Sequence, residues 1–350
     1  MIKLKDIQKY LSIVHELKTE YRFYDMHVHP FEIIYDSFKY EKYPDDDGLY
    51  CLSNQKYSKP IVSNLDLSCE NASCNTKMQD SKLSNLIGLR RIYCHIGPKI
   101  FEAHMKLSGI DEILLLPVAL SEEQIDCQMK GIKEIFGSKP NFRFGYSVPN
   151  SIQNSEIINY MKGKIKVHKI EAIKLHPNIT EIDLGTTSGK ERIENILAAC
   201  SFFQLPLIIH GGRSPLLKNR ETFDYGHLKK FKDINWNLTS APVILAHGGL
   251  YGCDLQEVDK EVLPMAKKFI SKYSNVFIDI AGLDFPVLIN LIRQIDSSRI
   301  VLGSDSLYYD QWTTVVKLIH ALKKLHLEVE AELINIMSTN PANILIKKRG

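Results

Sequence analysis

The chain has 350 residues, 44% hydrophobic and 24% charged, with a formal net charge of +3 from 44 basic and 41 acidic side chains. That composition belongs to an ordinary globular enzyme and excludes a disordered chain, and so small a charge surplus gives no case for nucleic acid or an anionic membrane as partner. The longest apolar run, Ile113 to Leu120, is broken by Pro117 and falls well short of the ~20 residues that span a bilayer.

In chain order, Ile2, Leu4, Ile7, Leu11 and Val14 fall on one helical face, so residues 1–24 predict a short amphipathic helix, not a signal peptide with its apolar centre. A cytoplasmic location is expected. The seven cysteines are odd in number and read as free thiols in a reducing compartment. Cys51, Cys69, Cys74 and Cys94 lack the paired spacing of a structural zinc site.

Apolar, β-branched runs recur at 23–28, 112–116, 142–147, 172–175, 207–209, 243–246, 276–280 and 300–302. Helical patterns lie between and after them, as at 192–204, 261–272, 285–294 and 312–325. Near-continuous apolar character marks strands buried on both faces. Eight such strands alternating with helices predict an α/β fold, a (β/α)8 TIM barrel formed by the whole chain, 1–350, as one domain. From the second strand on, starts lie about 24 to 36 residues apart, near the ~30 of a barrel unit. The first interval is about 90 residues, and its polar excess, 35–86, is an insertion after strand 1 that would act as a lid or cap over the site. Near the end, Asn340 is expected to cap a closing helix whose first position is Pro341.

The chemistry-bearing residues fall at predicted strand ends. His27 and His29 end the first strand; two apart, they point the same way and can grip one ion. His210 and His247 end the fifth and sixth strands, each followed by Gly-Gly, which permits a tight turn and leaves room beside an ion. Asp305 follows the eighth. A lone histidine at a strand end is more often a satisfied polar residue, and Asp305 alone could cap a helix. Five such residues at four strand ends, on the face where barrel enzymes work, point to a site.

These motifs resemble the metal-dependent amidohydrolase superfamily, in the branch that includes aminocarboxymuconate semialdehyde decarboxylase. The matching pieces are DMHVHP at 25–30, IKLHP at 173–177, IIHGG at 208–212, ILAHGG at 244–249, LGSD at 302–305 and STNPANIL at 338–345; residues 35–86 lie outside the match. The resemblance implies that His27, His29, His210 and Asp305 hold one divalent ion, with zinc the best fit to the donors and Mn, Fe or Co able to bind. It implies that the ion acidifies water, that Asp305 moves the proton to the leaving group, and that His247 polarises the substrate carbonyl. Lys174 and His176 would contact the substrate. Lys174 also stands near the place of the carboxylated lysine of two-metal relatives, or could form a buried salt bridge. Arg213 is a further contact for an anionic group, or a surface arginine. Tyr308 and Tyr309 line the pocket or pack. The family's habit implies a homodimer. The expected activity is hydrolysis of an amide, lactam or lactone of a small acidic molecule. The alternatives are non-oxidative decarboxylation on the same site and a metal-binding protein without catalysis.

Overall fold

Strand β1 (Tyr24–Val28) is followed by β2 (Glu112–Leu115), β3 (Phe142–Ser147), β4 (Ile170–Leu175), β5 (Leu207–Gly212), β6 (Val243–Tyr251), β7 (Val276–Asp279) and β8 (Ile300–Val301). This is seen in a computed structural model that describes residues 4–29, 98–215, 221–306 and 308–345. The strands pair in parallel in chain order, β1 through β8. The last meets the first through a parallel bridge between Val28 and Ser306 and through Met26 N–H donating to Leu302 O at 2.9 Å. The expected eight-stranded barrel is thus observed. The insertion at 35–86 lies outside the described residues.

Alternation sorts the side chains of each strand. Met26, Leu114, Ala172, Ile208, Ile244 and Val301 form one cluster. Ile113, Leu115, Ile173, Leu207, Leu245 and Ile278 belong to a second, larger one that includes helix residues such as Ile193, Val315 and Leu318. Period two assigns the first set to the barrel interior and the second to the shell beneath the helices. Burial on both faces is why the strands read as unbroken apolar runs.

Among the described residues the α-helices of six residues or more are α1 (Leu4–Leu17), α2 (Pro98–Leu107), α3 (Glu122–Phe136), α4 (Ile157–His168), α5 (Thr187–Phe203), α6 (Leu263–Lys272), α7 (Phe285–Gln294), α8 (Gln311–Lys324), α9 (Val329–Ile334) and α10 (Asn340–Leu345). Ile7, Leu11 and Val14 of α1 are buried, as the stripe predicts. Helix α5 starts before the expected residue 192, because the Thr186 side chain accepts from Gly189 N–H at 3.1 Å and caps it. The expectation for Asn340 is corrected. A π-helical turn, Asn335–Thr339, runs directly into α10, and Asn340 is itself helical with φ −65°. Its amide instead donates to Ser297 O and Ile300 O, both at 2.7 Å, and pins the start of β8. Among the described residues no helix is long and apolar enough to cross a membrane.

Candidate metal centre

Strict alternation would send His27 outward, because Met26 faces the interior. The pairing of β1 with β2 slips between Asp25 and Val28, and this irregularity lets His27 also reach the barrel mouth. His27 Nε2 and His29 Nε2 come to 3.2 Å of each other. Asp305 Oδ1 lies 3.1 Å from His29 Nε2 and 3.7 Å from His27 Nε2. The three donors lie within 4.8 Å of one another, and all three residues are buried.

What stands behind these side chains fixes their roles. His27 Nδ1 donates to Asp279 Oδ2 at 2.9 Å, and His29 Nδ1 to Leu116 O at 2.9 Å. Both protons are therefore on Nδ1, and both Nε2 atoms present lone pairs. Burial, then the Lys174 charge, pushes the His27 pKa well below its ordinary value, so the ring is neutral. Burial alone would raise the Asp305 carboxyl, but the closeness of His29, His27 and His247 outweighs it and leaves the pKa below the usual value. Two imidazole lone pairs and a carboxylate oxygen crowded together repel one another unless a cation lies between them. This donor chemistry fits a divalent ion such as zinc.

His247 presents its ring at 5.1 Å from that of His27, with Nδ1 held by Ala281 O at 2.8 Å. Its backbone takes φ +57° and Asp305 takes φ +58°. Left-handed backbone at two non-glycine residues in one site is strain held by the surroundings. Asp305 N–H donates to His27 O at 2.9 Å, and His247 N–H to Asp279 Oδ1 at 2.7 Å. His27, His247 and Asp279 also lie close enough to hold an ion. We read them as a hydrogen-bonded support instead, because both histidines already donate to Asp279.

His210 and His176 stack face to face, centroids 3.9 Å apart, and His210 meets His247 edge-on at 4.9 Å. His210 is therefore beside the three-donor set but not within it. Lys174 is buried, with Nζ donating to His27 Nε2 at 3.0 Å, and burial lowers its pKa to about 8 despite Asp279 and Asp305. Arg213 is placed elsewhere. Its guanidinium pairs with both carboxylate oxygens of Glu257 and reaches Cys253 Sγ at 3.5 Å. Tyr308 meets His29 edge-on at 5.7 Å.

Sequence reasoning missed three residues. Asp279 ends β7 just as His210 and Asp305 follow their apolar runs, so the same signal was available. Asp25, wholly buried, accepts from Ser304 N, Ser304 Oγ and Gln311 Nε2 at 2.9, 2.5 and 3.0 Å, and burial raises its pKa to about 6. Tyr251, at the far end of β6, stacks on His247 at 4.5 Å, and its hydroxyl lies 3.4 Å from that of Tyr309. The glycines also do more than expected. A Cβ on Gly212 would stand 2.4 Å from Tyr251 O, so this glycine makes room for the neighbouring strand. Gly303 is the one that leaves space beside His27, where a Cβ would stand 2.8 Å from the histidine Cβ.

A family model described as Amidohydrolase matches residues 161–345, more than half of the chain. The chain belongs to the amidohydrolase family. The amidohydrolase resemblance read from the motifs is borne out. No curated protein matches the sequence. Among solved structures, this amidohydrolase is similar to 5-carboxyvanillate decarboxylase from Sphingomonas paucimobilis, with 12% identity over 93% of this chain and 99% of that one and a TM-score of 0.53. It is similar to 4-oxalomesaconate hydratase from Rhodopseudomonas palustris, with 14% identity, 92% and 95% coverage and a TM-score of 0.52. It is also similar to a zinc-bound amidohydrolase from Burkholderia multivorans, with 9% identity, 93% and 99% coverage and a TM-score of 0.53. At these identities the likeness shows the shared barrel. Enzymes of this superfamily depend on metal, which agrees with the donor set above.

Proposed function

We propose that this amidohydrolase hydrolyses a C–N or C–O bond, in an amide, lactam or lactone, of a small acidic molecule. The observation that carries the reading is the convergence of His27 Nε2, His29 Nε2 and Asp305 Oδ1 within 4.8 Å, in a buried site. His27, His29 and Asp305 would hold one divalent ion, most simply zinc, with His210 turning in from beside them as the fourth ligand. Such an ion supplies the charge that acidifies water and polarises a carbonyl. Asp305, ionised at neutral pH, takes a proton from the attacking water and returns it to the leaving nitrogen or oxygen. His247, its Nδ1–H donating to Ala281 O, presents Nε2 as an acceptor, and it polarises the substrate carbonyl once a proton has been taken up at that nitrogen. Lys174 and His176 face an acidic substituent. The Lys174 ammonium, withdrawn from water, favours an anion beside it.

A second reading is decarboxylation of a small acid on the same residues. It is supported by the buried Lys174 beside His27 and by the likeness to a decarboxylase barrel. The test is turnover of the zinc-loaded protein on a panel of lactones, amides and carboxylated aromatic acids, following acid and carbon dioxide release. Hydrolysis without carbon dioxide is expected, and Asp305→Asn should lower kcat about 1000-fold even at zinc concentrations that saturate its weakened site. Carbon dioxide release alone would sink the hydrolytic reading in favour of the second.

A further inference from the structure

Away from the barrel mouth, a cavity of about 340 Å³ opens between α6 and the connection from β5 to β6. Its walls carry Leu228, Phe231, Trp236, Phe269 and Tyr273. The aromatic rings brace one another. Phe231 stacks on Trp236 with centroids 5.5 Å apart, and Phe269 stands edge-on to Trp236 at 5.0 Å and to Tyr273 at 5.3 Å. A cavity of this size, walled by rigid apolar rings, suits a small molecule better than a peptide segment.

Three exposed lysines, Lys232, Lys268 and Lys272, edge the same cavity. Each lacks a carboxylate partner among the described residues. Lys268 and Lys272 are four residues apart on α6, an arrangement of like charges that opposes the helix unless an anion relieves it. Lys272 sits over the Tyr273 ring at 4.9 Å. Tyr273 is only 8% exposed and gives the cavity the face of its ring. Apolar walls and uncompensated positive charge together describe a complement to one chemistry.

We infer that this cavity is a second binding site, for a small carboxylate with an apolar body. This goes beyond the function proposed for the metal centre and does not depend on it. The site is joined to that centre through one side chain. Leu228 lines the cavity, and its Cδ2 lies 3.3 Å from where a Cβ of Gly249 would stand, in the part of β6 that follows His247. A ligand seated on Leu228 therefore bears on the stretch of β6 next to His247.

Phenylacetate is the probe, with phenylacetamide as its uncharged counterpart. Binding to the metal-loaded protein is followed by calorimetry and by tryptophan emission. The chain has two tryptophans, and the other, Trp312, is fully buried in α8. The expected result is saturable binding of the acid that perturbs emission, with the amide weaker by about 10-fold. The variant carrying Lys232→Glu, Lys268→Glu and Lys272→Glu alters only exposed side chains; it should lose about 10-fold in affinity for the acid while keeping its turnover. Phe269→Ser tests the apolar wall independently and should weaken acid and amide alike. Equal affinity for acid and amide, binding unchanged in the triple variant, or no binding at all would each overturn the inference. So would a dimer in sedimentation that the triple variant dissolves, which would assign the cavity to a second copy of the chain.

Discussion

Asp279 accepts from two groups of the centre at once, the His27 ring and the His247 backbone. One carboxylate thereby sets the tautomer of a metal ligand and the placement of the residue that faces the substrate. Asp279→Asn offers one oxygen and a donor in place of two acceptors. We expect metal affinity about 10- to 100-fold lower, with the fold kept, measured by chelator competition and circular dichroism. Unchanged affinity would mean that His27 holds its orientation by packing alone. Tyr251 poses a different question. Its ring lies against His247, and burial holds its hydroxyl pKa well above the usual value, so the hydroxyl remains a donor. Its contact to Tyr309, at 3.4 Å, is long for an O–H donor. Tyr251→Phe keeps the ring and removes the donor. It should leave metal content unchanged and lower kcat/KM about 10-fold, the size expected for one hydrogen bond to substrate. An unaltered kcat/KM would assign Tyr251 to packing.

At the scale of elements, the strands were legible because a barrel strand is buried on both faces and so shows as an apolar run in the sequence. The site was legible for the same reason, since a histidine or aspartate after such a run stands out. What escaped was set by contacts between distant segments. Asp279 carried the same local signal, an acid at the end of an apolar run, but nothing local tied it to His27. β6 was expected to end at 246 but continues to Tyr251, because the glycines carry it past His247. Arg213 could turn toward the site or away from it, and only the fold brings Glu257 beside it. The Gly212 argument can be tested directly. Its φ is +115°, and a Cβ would meet the Tyr251 backbone at 2.4 to 3.0 Å. Gly212→Ala should destabilise the barrel by about 3 kcal/mol, read as a lower urea midpoint. A midpoint within error of the parent would show that β5 and β6 can part without cost.

For the whole molecule, the donors come from opposite ends of the chain. His27 and His29 belong to β1 and Asp305 follows β8, and the bonds that close the barrel are the bonds that bring them together. The unfolded chain therefore holds no preformed site, and binding of an ion is coupled to closure of the barrel. An ion at about 1000 times its dissociation constant adds ~4 kcal/mol to the folded state if the unfolded chain does not bind it. For a chain of this size we expect zinc to raise Tm by about 5 to 10 °C over chelator-treated protein. His29→Ala removes one donor while leaving the hydrophobic shell intact, and should abolish most of that difference. Calorimetric scans of both proteins, with and without zinc, provide the measurement. If the parent and His29→Ala gained equally, the ion would be binding elsewhere, and the three-donor set at the barrel mouth would lose its claim to be the metal centre.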